Sequence, residues 1–177
     1  MKQSDIIIQL NQNHSSFIDL IYSLDDAQFV HSVQNKWSAG QQLEHIYLSI
    51  KPLEKALLLP RFLLGLFFGK TRQPSHRYDM VVEKYKDQLA HGAKASPKYI
   101  PALVSNYKRE ALIKSLRHSL YQLTSLIKKF KEEDMDSFHL PHPLLGKLTL
   151  REMLYFTIHH VKHHEANIRK MLGIHTS

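Results

Sequence analysis

The sequence predicts an all-α protein, a four-helix bundle with a long connection between its second and third helices. Three observations carry this reading. Apolar residues recur at three- and four-residue steps over several long segments, two segments open with a Ser/Thr-x-x-Gln/Glu capping pattern, and no alternating strand pattern of useful length interrupts them. At 177 residues and 43% hydrophobic content, the chain has the size of one domain (1–177) and can bury a continuous core without disulfides.

The first helix is expected from Ser4 to Leu24. Ile7, Leu10, Phe17, Leu20, Ile21 and Leu24 fall near helical spacing, and Asp25-Asp26 follows as a terminator. The second starts near Ala39, with Ser38 as N-cap and Gln41 completing a capping box. Beyond it lies the most hydrophobic stretch, Leu57 to Phe68. Pro60, Arg61 and Gly65 break this stretch, and it is well short of the roughly 20 residues that span a bilayer. No membrane span is expected, and burial in the bundle or in a dimer contact suits the segment better.

From Gly69 to Pro101, proline, glycine and charge concentrate around one short amphipathic piece, Met80 to Leu89. This reads as a long connection and not as a second domain. Leu112, Leu116, Leu120, Leu123, Ile127 and Phe130 then form the stripe of the third helix, which the mixed-charge run KKFKEED ends. Thr149, with Glu152 three residues later, opens the fourth helix, which continues to Leu172 before Gly173.

Composition narrows the chemistry. The absence of cysteine removes thiolate ligands, cysteine nucleophiles and disulfides, so a metal here would sit on nitrogen and oxygen. The net charge of +8 is spread along the chain with no nucleic-acid-reading motif beside it, so a solvated basic surface is expected and no nucleic acid partner. The N-terminus has no apolar run long enough for a secretory signal, and a cytoplasmic protein is expected.

The fourth helix carries His159, His160, His163 and His164. Residues three or four apart share a helix face, and His160 and His164 fall in line with Met153, Phe156, Thr157, Val161, Ile168 and Met171, the side a bundle would bury. His159 and His163 share their side with Glu152, Lys162, Ala166 and Lys170 and are expected to face water. An i, i+4 histidine pair can serve one metal ion, yet two core histidines satisfied by carbonyls or hydroxyls would have the same spacing. A third ligand would have to come from another helix, and His45 is the only histidine in the first turns of the second. By itself His45 fits a half-buried, hydrogen-bonded residue at least as well.

Trp37-Ser38, then His45 within LEHIYL, then HPLLGKLTLREMLYF running into HHVKHH, resembles the DinB-like (YfiT-like) superfamily of metal-binding four-helix bundles over nearly the whole chain. The resemblance implies that one histidine of the second helix and an H-x3-H pair of the fourth hold a divalent ion of the zinc or nickel type. By position these are His45, His160 and His164. Many members have glutamine where this chain has Asn167, which leaves the outer hydrogen bonding of the site to be found.

Three neutral imidazoles leave an ion with open positions, which favours catalysis over a purely structural role. The resemblance implies metal-dependent hydrolysis, or transfer of a low-molecular-weight thiol to a small-molecule electrophile. It also implies a homodimer, for which Leu57 to Phe68 would be a suitable contact. Hydrolysis wants a general base, and the nearby Glu44 and Glu165 point off the ligand face. The competing reading is a stress-response bundle that binds a metal or ligand without turnover, with His14 or Glu44 as a fourth ligand closing the site. The 69–101 connection is expected to be a surface loop. As a lid, it would offer His76, Arg77 or Tyr78.

Overall fold

The computed structural model describes residues 1–33 and 36–174. In chain order these form α1 (Gln3–Ser23), α2 (Asp26–Val30), α3 (Ala39–Leu57), α4 (Arg61–Phe68), α5 (Tyr78–Ala90), α6 (Arg109–Ile127) and α7 (Glu132–Ser137). The strands β1 (His139–His142) and β2 (Gly146–Thr149) and the last helix, α8 (Leu150–Leu172), complete the chain. The four expected bundle helices are α1, α3, α6 and α8. Helix α3 lies along α6 and α1 along α8, while α1–α6 and α3–α8 contacts close the bundle. Leu10, Phe17 and Ile21 of α1 meet Leu43 and Ile46 of α3, Leu116 and Leu123 of α6, and Leu154 and Val161 of α8 in one buried core. Each such side chain contributes about 1.5–3 kcal/mol by leaving water.

Both expected capping boxes form. Ser38 Oγ accepts from the Gln41 backbone N–H at 3.2 Å, and Gln41 Oε1 accepts from the Ser38 N–H at 3.1 Å. Thr149 Oγ1 accepts from the Glu152 N–H at 3.2 Å, and a Glu152 carboxylate oxygen accepts from the Thr149 N–H at 2.8 Å. These boxes satisfy orphan donors at the starts of α3 and α8 and set the phase of the residues that follow.

Four expectations need correction or extension. Asp25 does not only end α1. Its carboxylate accepts from the Gln28 N–H at 2.8 Å and so starts α2. The run KKFKEED does not simply end α6, because Glu132–Ser137 forms a helix of its own, with Arg151 bound to Asp136 at 2.6 Å and to Glu132 at 2.7 Å. Residues 139–149 form a hairpin with His142 paired to Gly146, built from four-residue strands too short to leave an alternating pattern. The chain leaves its three-residue loop through a left-handed residue, Gly146 at φ 76°, the first residue of β2. The 69–101 connection is more than a loop. Helix α5 packs on α8 and buries Val81, Val82 and Tyr85.

Helix α4 is split from α3 at the expected break and buries only Leu64, leaving Phe62 72%, Leu66 74% and Phe67 62% exposed. Among the described residues, no helix is long and apolar enough to cross a membrane.

Candidate metal centre

His45 lies two turns into α3, and His160 and His164 lie one turn apart on α8. The packing of α3 against α8 turns the three rings toward one point. The Nε2 atoms of His45 and His160 are 3.2 Å apart, those of His160 and His164 3.1 Å apart, and the three ligand atoms all lie within 4.8 Å of one another. All three side chains are buried.

The opposite edges of two rings are fixed. His45 Nδ1–H donates to the Tyr99 carbonyl at 2.7 Å, and His164 Nδ1–H donates to Gln42 Oε1 at 3.0 Å. Gln42 is itself oriented because its amide N–H donates to the Trp37 carbonyl at 3.2 Å. A carbonyl oxygen only accepts, so both rings carry their proton on Nδ1 and present a lone pair at Nε2. The Trp37 ring closes one side of the cluster, 4.7 Å from His45 and stacked at 6.2 Å on His164.

This arrangement fits a cation. Two Nε2 lone pairs face the Nε2 of His160, and a single proton there satisfies only one of them. Burial pushes His160 and His164 well below the ordinary histidine range and lowers His45 too, partly opposed by its bond to Tyr99. The rings are therefore neutral near pH 7, the form that ligates metals. Nitrogens about 2.1 Å from one ion lie about 3.0–3.4 Å apart, the spacing of the two short contacts here.

A cavity of about 340 Å³ opens onto the histidines. Its walls are mainly apolar, including Leu53, Phe68, Leu89, Leu140, Met153 and Phe156, and among the described residues no carboxylate lines it.

The sequence model of the DinB superfamily matches residues 9–168. The chain belongs to the DinB superfamily. No curated protein and no solved structure gave a match.

Other candidates fall into place around this DinB-superfamily site. His159 and His163 do not face water. They are half-buried under α5, with the Tyr85 ring 6.0 and 5.7 Å away, and His163 lines the cavity. Burial, then the charges of His163, Lys86 and Lys162, lowers His159 to about 4. Glu152, expected on the same wet side, is buried, where it caps α8 and binds His76.

His14 is buried with Nδ1–H donated to Leu10 of its own helix at 2.7 Å, and it is not part of the three-histidine group. Glu165 is held by Ser16 and Arg169, and neither it nor Glu44 lines the cavity. His76, Arg77 and Tyr78 lie elsewhere: His76 on Glu152, Arg77 on Asp79, Tyr78 against Tyr155. The same connection instead covers the site with Tyr85, Leu89, Lys98 and Tyr99. Asn167 bonds His163 at 3.0 Å, not a member of the three-histidine group. The outer contact falls to Gln42, legible in hindsight as the residue three before His45 on the same face of α3.

Proposed function

We propose that this DinB-superfamily protein is a metal-dependent transferase in which His45, His160 and His164 hold one zinc or nickel ion. In this reading it joins a low-molecular-weight thiol to an apolar electrophile. The observation that carries it is the convergence of three neutral imidazoles on an apolar cavity large enough for a small molecule. When bound, the ion would acidify a thiol or a water presented at its open side. The chain's own groups orient and enclose. Gln42 and the Tyr99 carbonyl fix two rings, Trp37 and Phe156 flank the cluster, and the apolar wall excludes bulk water from the electrophile. Thiol transfer is preferred over hydrolysis because no Asp or Glu among the described residues lines the cavity to serve as base for water.

The test is elemental analysis of untagged protein, followed by assays of the zinc- and nickel-loaded forms. One assay joins cysteine or glutathione to monochlorobimane, and the other hydrolyses p-nitrophenyl acetate. About one ion per chain with metal-dependent bimane transfer is the expected result. Metal with ester hydrolysis alone would reassign the chemistry, metal with neither activity favours a non-catalytic stress-response bundle, and no metal after reconstitution sinks the proposal.

The working unit is proposed to be a homodimer joined through α4, because Phe62, Leu66 and Phe67 form an exposed apolar face. Phe62→Asp with Leu66→Asp is expected to give a monomer in sedimentation equilibrium while the parent sediments as a dimer. A monomeric parent would remove this part of the reading.

A further inference from the structure

His142 closes the β1–β2 hairpin from inside. Its Nδ1 accepts two backbone N–H groups of the loop, from Leu144 at 3.2 Å and Leu145 at 3.1 Å. A ring nitrogen that accepts two donors carries no proton, so the imidazole proton is fixed on Nε2. The residue is only 9% exposed and lines the cavity, and its Nε2 has no hydrogen-bond partner among the described residues. The ring stands 4.2 Å from Phe156, which stacks at 4.7 Å on His160, so His142 and the three-histidine cluster face one chamber across a single aromatic ring. An N–H donor without a protein partner at the wall of a mainly apolar cavity is best satisfied by an acceptor on a molecule that enters and displaces water from it.

We propose that His142 Nε2–H is the specificity-determining hydrogen-bond donor of the cavity, selecting an apolar substrate that bears a neutral acceptor oxygen such as a carbonyl. This rests on the reading of the cavity as the substrate chamber.

Three features support the assignment. The donor is neutral, because burial, together with the charge of Lys84, lowers the ring's pKa to about 4. The two loop N–H groups hold the tautomer, so the ring cannot turn its acceptor edge to the ligand without orphaning both. The walls near it, Leu140, Pro141, Leu144, Met153 and Phe156, offer no competing side-chain donor, so one oxygen on an apolar body is the complementary shape.

The test uses two ligands of nearly equal shape, acetophenone and ethylbenzene, titrated into the full-length protein as isolated and after zinc loading. Side-chain 15N spectra follow His142, and metal content is read on the same samples. Acetophenone is expected to bind about tenfold more tightly than ethylbenzene, the difference one satisfied donor makes, and to shift the His142 Nε2–H resonance. In His142→Asn, the shorter amide oxygen still accepts the loop N–H groups but the Nε2 donor is gone. That variant is expected to bind both ligands equally, with its melting temperature little changed. In His142→Gln, an amide N–H reaches the Nε2 position while the loop loses its acceptor, so the ketone preference returns in a less stable protein.

Equal binding of the two ligands by the parent, preference retained in His142→Asn, or a His142 ring protonated on Nδ1 would each overturn the inference. Failure of both ligands to bind would overturn it as well. A loss of metal binding in the same samples would instead count against the three-histidine reading.

Discussion

His160→Ala, His164→Ala and His45→Ala are each expected to lose stoichiometric metal, whereas His159→Ala and His163→Ala are expected still to hold about one ion per chain. The contrast follows from where the rings meet. His160 is central, with its Nε2 within 3.2 Å of both other Nε2 atoms, so its removal leaves His45 and His164 with no shared neighbour. His159 and His163 lie against Tyr85 and contribute no atom to the group, although they sit on the same helix within one residue of its members. Gln42→Leu is expected to fall between these classes. It leaves all three rings but frees His164 Nδ1, and loss of such an orienting partner costs about 10–100-fold in metal affinity. Elemental analysis after gel filtration separates the first two classes, and competition with a chromophoric chelator resolves the third. Equal losses in all five histidine variants would mean that the face assignment on α8 is wrong.

The parts of this site that the sequence discloses are those set by helical phase. Ser38 and Thr149 start α3 and α8 where their capping patterns place them, which fixes the helix faces on which His45, His160 and His164 fall, while it is the family resemblance that joins the three into one group. The partners that orient them are less visible. Tyr99 acts through its backbone carbonyl, which no residue type announces, and it reaches His45 from 54 positions away. The hairpin escapes detection because β1 is only four residues long and contains Pro141, a residue that argues against a strand. The error over His159, His163 and Glu152 has a different origin. Wheel reasoning assumes one buried stripe, but α8 is buried on all sides from Arg151 to Ile158, with α1 on one flank and α5 on another. Charged residues within that buried stretch then mark ion pairs and caps, as Arg151 and Glu152 do, while Lys162 and Lys170 beyond it face solvent as expected.

Lowering the pH from about 6.5 to 4 is expected to destabilise the metal-free protein, and His14 alone accounts for about 3 kcal/mol of that loss. The His14 side chain is fully buried, its Nδ1–H is given to Leu10, and its Nε2 has no partner among the described residues. Burial lowers its pKa from 6.5 to about 4, against a smaller upward pull from the Leu10 carbonyl. The unfolded chain therefore takes up this proton near pH 6.5 while the folded chain refuses it until about pH 4. Between those values the unfolded state binds more protons, so stability is full above about 6.5, declines as pH falls through the window, and levels off below about 4. A loss of about 3 kcal/mol is large against the 5–15 kcal/mol that holds a typical domain together. His14→Met fills similar space without a titrating group, so its urea midpoint should be close to the parent's at pH 7 and clearly higher at pH 4. The difference between the two proteins isolates His14 from His142 and His159, whose pKa values burial also lowers to about 4 and which titrate alike in both. Parallel pH profiles for parent and variant would show that the α1 histidine reaches solvent or a partner before it protonates. Zinc or nickel should steepen the parent's acid loss further, because protons then compete with the ion for His45, His160 and His164.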